Sequence, residues 1–350
     1  MNKTITVAFY DTKQYDIDSF DKANEQFGFK IKYYPLRLTE ETAQFAHGAD
    51  AVCAFVNDTV DEKVIQVLNG FGIRMIALRS AGYNNVDLKA AYEHMHIARV
   101  PAYSPYAVAE FATSLMLALN RKTHKAYYRT RDNNFTISGL AGFDMNGRTA
   151  GIVGTGRIGK VLIKILRGFG MEVLAFDSYR DDAAAKELGF SYVSIEELYK
   201  RADIISLHCP LTKETHHMIN DSTISMMKDG VMIINTGRGQ LIDTKALIKG
   251  LKAKKIGSAG LDVYEEESEY FFEDFSTEGL KDDVLARLLT FPNVLITSHQ
   301  AFFTNEALAN ISATTLENIR EFFDKGDIPN EICYHCQSGT CRKKAEGKCF

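Results

Sequence analysis

The stretch that most restricts this chain is Gly154-Thr155-Gly156-Arg157-Ile158-Gly159, which follows the apolar run Thr149-Ala150-Gly151-Ile152-Val153 and opens a helical pattern ending near Gly168-Phe169-Gly170. Strand, glycine-spaced turn and helix in that order form the opening of a dinucleotide-binding βαβ unit. Gly154 permits the tight turn, Gly156 lets the backbone approach a pyrophosphate, and Gly159 lets the helix pack closely. The helix start then offers free N–H groups to phosphate oxygens. Asp177 ends the next strand, Val173-Leu174-Ala175-Phe176, at about the 20-residue distance where an acid meets ribose hydroxyls. Taken alone, the glycines would equally serve an ordinary strand-to-helix turn; the second strand and its terminal acid favour the nucleotide reading. An acid at that position favours NAD over NADP, although Arg180 nearby is the residue type that meets a 2′-phosphate. Arg157 either covers the pyrophosphate or faces solvent. The expected cofactor contacts here are Gly154, Gly156, Arg157, Ile158, Gly159 and Asp177.

One such unit does not use up 350 residues, which at roughly 150 per domain suggests two domains. A first βα series alternates runs at 5–9, 29–34, 51–56 and 73–78 with helical patterns near 16–27 and 60–69. A long helical pattern from about Tyr106 to Tyr128, entered by Ser104-Pro105 as N-cap and first helical residue, reads as a connector or interface helix. The second series runs from Thr149 to Thr297, with strands at 149–153, 172–176, 204–207, 231–235, 258–261 and 293–297. A final helix over 305–323 needs an apolar face to pack on and can return to the first domain. The expected fold is therefore α/β, with two Rossmann-like parallel-sheet domains. The partition is discontinuous: a catalytic domain of 1–101 and 300–332, a nucleotide-binding domain of 102–299, and a cysteine-rich tail of 333–350.

Charge and hydropathy narrow the function classes. With 45 acidic against 41 Lys and Arg residues, the formal net charge of -4 gives no concentrated basic surface for nucleic acid. No apolar stretch reaches the about 18 residues of a membrane span, and the amino terminus begins with the strand-like 4–9. A cytoplasmic protein with no membrane or nucleic-acid partner is expected. Four of the six cysteines, Cys333, Cys336, Cys341 and Cys349, lie in the tail with His335. These side chains are of the types that ligate Zn(II), but their uneven spacing lacks a zinc-knuckle or ribbon pattern, so reduced thiols or a redox-sensitive appendage are expected and no metal. Arg342-Lys343-Lys344 suggests a solvated appendage.

Three polar residues stand just past later strands, where open α/β sheets bind ligands. Arg238 lies in Asn235-Thr236-Gly237-Arg238-Gly239, Glu267 lies beyond Leu261-Asp262-Val263-Tyr264, and His299 follows Val294-Leu295-Ile296-Thr297-Ser298. A 2-keto acid needs a cation for its carboxylate and carbonyl, which suits Arg, and a proton donor as hydride reaches the carbon, which suits His oriented by an acid. Each residue also has a plain structural reading: a surface ion pair, a merely acidic loop, and a hydrogen-bonded strand-end histidine. Spacing alone does not choose Glu267 over Glu265. In Leu207-His208-Cys209-Pro210, His208 lines the nicotinamide side or caps a strand, and Asp262 contacts nicotinamide or stabilises a turn. His208, Pro210, Thr236 and Asp262 complete the expected cofactor contacts.

Through about residue 330 the order of these motifs resembles the D-specific 2-hydroxyacid dehydrogenases, and within that family the lactate branch. The resemblance implies a flavodoxin-like catalytic domain carrying an inserted NAD-binding domain, with chemistry in the cleft. Arg238 matches the family's substrate-binding arginine and His299 its general acid/base. In Gly260-Leu261-Asp262-Val263-Tyr264-Glu265-Glu266-Glu267, the family's histidine-paired acid falls five residues after the aspartate, which selects Glu267. Arg79-Ser80-Ala81-Gly82-Tyr83-Asn84-Asn85-Val86-Asp87 resembles the substrate loop, whose N–H groups at Ser80, Ala81 and Gly82 meet a carboxylate. Pro101-Ala102-Tyr103-Ser104-Pro105 resembles a lactate-branch signature that sets Tyr103 near substrate. Arg79 otherwise braces its loop and Tyr103 otherwise packs between domains. Phe302 and Phe55 restrict the side-chain pocket or fill core.

The acidic insert 265–283, with Phe271-Phe272-Glu273-Asp274, is similar to the lactate branch. That similarity favours pyruvate over hydroxypyruvate, with branched or aromatic 2-oxo acids as the alternative substrates. The resemblance also implies a homodimer through the helix near 106–128, with tetramers in some members. A nucleotide-sensing corepressor of the same fold is the alternative outside enzymes.

Overall fold

The computed structural model describes residues 4–266, 270–326, 328–337 and 349. The chain divides into two compact units, one of residues 1–104 with 304–350 and one of 105–303, against boundaries of 101/102 and 299/300 expected from sequence. The first unit begins with β1 (Thr6–Phe9), α1 (Gln14–Asn24), β2 (Lys30–Tyr33), β3 (Ala51–Ala54), α2 (Glu62–Gly70), β4 (Met75–Leu78), α3 (Leu88–Ala91) and β5 (His96–Ala98). The second unit follows with α4 (Pro105–Arg121), α5 (Thr123–Arg131), β6 (Thr149–Val153), α6 (Arg157–Gly168), β7 (Glu172–Phe176), α7 (Asp182–Leu188), β8 (Ser191–Tyr192), α8 (Ile195–Arg201) and β9 (Ile204–Leu207). It closes with α9 (Asp221–Met226), β10 (Val231–Asn235), α10 (Thr244–Lys252), β11 (Ile256–Leu261), α11 (Asp283–Leu289) and β12 (Val294–Ile296). The chain then returns to the first unit as α12 (Asn305–Lys325), β13 (Glu331–Ile332) and α13 (Tyr334–Gln337).

In the first unit the strand order is β2-β1-β3-β4-β5, the flavodoxin-like order, with β13 added antiparallel to β5. Strands β3 and β4 are buried at every residue, which is why they read as continuous apolar runs without alternation. The returning helix α12 packs on α1 and β4, and Ser19 Oγ joins Ser312 Oγ at 3.0 Å and donates to Leu308 O at 3.0 Å. Thr304 caps it by accepting from Ala307 N, and Gly326 ends it in the left-handed conformation at φ 67°.

The solvated appendage suggested by the basic run Arg342-Lys343-Lys344 falls outside the described residues. Cys333 and Cys349 are buried, and the Cys349 thiol hydrogen-bonds Glu331 and Cys333, with burial raising it above the usual thiol range. Cys341, Arg342, Lys343 and Lys344 lie outside the described residues, as does the side chain of Cys336.

The second unit carries a seven-stranded sheet, β8-β7-β6-β9-β10-β11-β12, and every pairing is parallel. Alternation along each strand divides the core between its two faces: Val153 and Ile233 join one cluster, Ile152 and Ile234 the other. The expected single helix over 106–128 is two helices, because Lys122 takes a left-handed φ of 51° and breaks the run between α4 and α5. No residue of α5 is buried, and Tyr127, Tyr128, Phe135 and Ile137 are exposed. Among the described residues no helix is long and apolar enough to cross a membrane.

Candidate functional site

Within the second unit, the glycine turn sits where the strand order reverses, between central β6 and α6. Gly154 holds φ 98°, and a Cβ there would lie 2.6 Å from Cys209 N. A Cβ on Gly159 would lie 2.1 Å from Gly154 O, so that position requires a hydrogen. Nothing lies within 4 Å of the corresponding point on Gly156, the N-cap of α6, which leaves its backbone open to a ligand. Arg157 is exposed on the first turn and Ile158 is half-buried. Asp177 follows β7 and accepts from Thr155 N at 2.6 Å and Tyr179 N at 2.8 Å, which fixes its carboxylate beside the glycine turn.

The neighbouring strand ends supply the remaining expected cofactor contacts. His208 follows β9 with its Nε2 2.8 Å from Ser206 Oγ, and burial lowers its pKa to about 4, so the ring is neutral. Pro210 is exposed two residues on. Thr236, past β10, is buried, and its Oγ1 has no hydrogen-bond partner among the described residues. An orphaned buried hydroxyl costs free energy and is the type of group that a bound ligand satisfies. Open Gly156, the α6 N-terminus, Asp177 and this hydroxyl together fit a dinucleotide.

Three adjacent strands present the candidate chemical groups at the same carboxyl edge of the sheet. Arg238 follows β10, is partly exposed, and donates from Nη1 to Gly237 O at 2.8 Å; among the described residues it forms no ion pair. Its carbonyl accepts from Asn235 Nδ2 at 2.9 Å. His299 follows β12 in a left-handed conformation at φ 52°, uncommon for a non-glycine residue, with its ring 6.1 Å from that of Phe272. Asp262, past β11, maintains that geometry. Its Oδ1 accepts from Thr297 Oγ1 at 2.6 Å and Gln300 N at 2.9 Å, and its Oδ2 accepts from Ala301 N at 2.8 Å. Its carbonyl accepts from His299 N at 2.8 Å. Of the two readings open for Asp262, these bonds carry the turn-stabilising one. Burial raises its pKa while the three hydrogen bonds oppose the rise. Glu267 lies outside the described residues, and Phe302 is half-buried with its ring 5.9 Å from that of Phe303.

The first unit holds the expected carboxylate loop. The carbonyls of Ser80, Ala81 and Gly82 accept from Val100 N, Arg99 Nη1 and Ser80 Oγ. Their three N–H groups have no partner among the described residues, so the loop has three N–H donors to offer. Arg79 braces it from below: fully buried, it bonds Asp16 Oδ1 at 3.2 Å and Asp11 O at 2.7 Å, with its guanidinium over Phe9 and Phe55 at 4.6 and 4.4 Å. Phe55 thus packs against Arg79. The carbonyl of Tyr103 accepts from Asn310 Nδ2 at 2.7 Å. Sequence reading did not identify Asp16 as the buried counter-ion, because 63 residues separate it from Arg79.

Comparison with known proteins gives a consistent result. Residues 113–301 match the family model described as "D-isomer specific 2-hydroxyacid dehydrogenase, NAD binding domain". The chain is 53% identical over 328 residues to a D-lactate dehydrogenase of Escherichia coli, covering 93% of this chain and 99% of that one. The apo-structure of D-lactate dehydrogenase from Escherichia coli superposes with a TM-score of 0.87 at 50% identity, covering 94% of this chain and all of that one. A structure described as the pyruvate reductase of Chlamydomonas reinhardtii gives 0.87 at 43% identity, covering 91% and 96%.

Proposed function

The chain belongs to the D-isomer specific 2-hydroxyacid dehydrogenase family, and from that premise we propose that it reversibly reduces pyruvate to (R)-lactate with NADH. It is an NAD-dependent oxidoreductase. The observation that carries the reading is the edge of the seven-stranded sheet: glycine turn, Asp177, His208, Thr236, Arg238, Asp262 and His299 all follow the carboxyl ends of parallel strands.

When bound, the cofactor supplies the hydride that becomes the new C–H bond of the product, or accepts it in the reverse direction. The rest is the work of the chain. Gly154, Gly156, Ile158 and Gly159 with Arg157 hold the pyrophosphate, Asp177 the ribose, and His208, Pro210 and Thr236 the nicotinamide side. Arg238 grips the substrate carboxylate and polarises the carbonyl, and the N–H groups of Ser80, Ala81 and Gly82 are the first unit's donors for a carboxylate. His299 delivers its proton to the carbonyl oxygen, with Glu267 orienting the ring, and as neutral imidazole takes it back in the oxidative direction. Tyr103 hydrogen-bonds near the substrate, and Phe302 restricts the side-chain pocket.

We place the protein in the cytoplasm as a homodimer able to assemble further. The exposed aromatic surface of α5 and the segment after it, with Tyr127, Tyr128, Phe135 and Ile137, supports a second copy there. A turnover panel of pyruvate, phenylpyruvate and branched 2-oxo acids, with NADH and with NADPH, tests the assignment. Pyruvate with NADH is expected to give the highest kcat/KM. A larger 2-oxo acid ahead of pyruvate would move the substrate, and binding of NADH without turnover of any of them would overturn the enzyme reading.

A further inference from the structure

A second histidine–carboxylate pair lies beside the Arg238 loop, and the mechanism above does not use it. Glu265 Oε1 is 2.6 Å from His217 Nε2, while its Oε2 accepts at 2.8 Å from Thr244 N, the first residue of α10. One carboxylate therefore joins three segments that are distant in sequence. His217 is in turn tied to the loop by its backbone: His217 N donates to Gln240 O at 2.8 Å, Ile219 N to Leu241 O at 3.1 Å, and Asp243 N back to Ile219 O at 2.8 Å. Gly239 rests directly on the peptide joining Tyr264 to Glu265, since a Cβ there would fall 2.1 Å from Tyr264 O.

The strain points the same way. His217 holds φ 50° while its ring stacks on His216 at 3.9 Å. A bulky residue stays in the left-handed region only where its surroundings over-determine it. A loose surface ion pair imposes no such constraint.

We propose that the His217–Glu265 pair is a positioning element for the substrate-binding arginine, clamping residues 238–244 to the 264–265 segment and thereby setting affinity for the 2-oxo acid. The inference rests on the proposed role of Arg238 in carboxylate binding. His217 and Glu265 act through that arginine and touch no reacting atom.

The test uses the full-length protein with His217→Asn, Glu265→Ala and Glu265→Gln. Asparagine tolerates the left-handed backbone but does not reach Glu265, so it removes the pair without adding strain. For His217→Asn and Glu265→Ala, the KM for pyruvate should rise about tenfold, with kcat within about threefold and the NADH Kd within about twofold. Glu265→Gln, whose oxygen still accepts from Thr244 N and whose NH2 group can donate to His217 Nε2 in the Nδ1–H tautomer, should recover most of the loss. In an Arg238→Lys background Glu265→Ala should add no further rise in KM, because both changes act on one contact.

Hydrogen exchange gives a readout independent of turnover: amides of 238–244 should exchange faster in both pair-breaking variants while those of β10 do not change. Unchanged exchange at 238–244, an NADH Kd that rises in step with KM, or additive effects with Arg238→Lys would overturn the proposal. Wild-type protein that turns over no 2-oxo acid would instead refute the functional reading, and exchange alone would then decide whether the clamp exists. If Glu265→Ala does not fold, His217→Asn and Glu265→Gln carry the same comparison.

Discussion

Replacing Asp262 by Asn separates bracing of His299, the proposed general acid/base, from cofactor contact. The carboxylate accepts three hydrogen bonds, two on Oδ1 from Thr297 and Gln300 and one on Oδ2 from Ala301. An asparagine has one acceptor oxygen. With that oxygen kept toward Thr297 and Gln300, its NH2 group faces Ala301 N, donor against donor, and the two retained bonds lose their charge. One charge-assisted bond is worth about 1.5–3 kcal/mol, and about 1.4 kcal/mol is a factor of ten. The bond from His299 N to Asp262 O belongs to the backbone and survives, so the loop persists with His299 held less well. Steady-state turnover of pyruvate should therefore fall about 10- to 100-fold in kcat, with NADH affinity measured by fluorescence titration nearly constant. A fall of less than twofold would refute the bracing argument. An NADH Kd that rises as much as kcat falls would assign Asp262 to cofactor binding instead.

Three further predictions follow from single groups. Gly159→Ala drives a methyl into Gly154 O, and should abolish NADH binding or leave the protein insoluble; wild-type NADH titration would contradict the close helix packing. Arg79→Met leaves Asp16 buried without its counter-ion, and should cost about 3–5 kcal/mol in urea unfolding; a loss below about 1 kcal/mol would show the pair to be dispensable. The depressed pKa of His208 means that the unfolded chain binds the extra proton between the ordinary value of 6.5 and about 4, so stability rises with pH across that window. Acidification from 6.5 to about 4 should remove up to about 3 kcal/mol through this group, and His208→Gln should flatten that part of the profile; an unaltered slope would contradict the buried neutral ring.

Much of this architecture was legible because its determinants are local. Continuous apolar runs such as Met75–Leu78 identify buried parallel strands, and the spacing of Gly154, Gly156 and Gly159 after β6 identifies the nucleotide turn. The three-residue β5 and two-residue β13 were not legible, because so few residues show no periodicity. The break at Lys122 was hidden for a different reason: the residues on both sides, Asn120-Arg121 and Thr123-His124, continue the helical pattern, and only a backbone angle interrupts it. Side-chain roles divided along the same line. Arg238 and His299 stand out by their places after strands, but the bracing by Asp262 depends on donors 35 to 39 residues away. The His217–Glu265 pair spans 48 residues and left no signal in spacing. In the sequence Glu265 stands only as a rival to Glu267, and it is the match to the family pattern that selects Glu267.

The most direct test of the account is chiral analysis of the product formed from pyruvate and NADH by wild type and by His299→Ala. Wild type should give (R)-lactate. His299→Ala should lose about 100-fold or more in turnover, with NADH binding intact. Formation of (S)-lactate, or turnover in His299→Ala comparable with wild type, would contradict it.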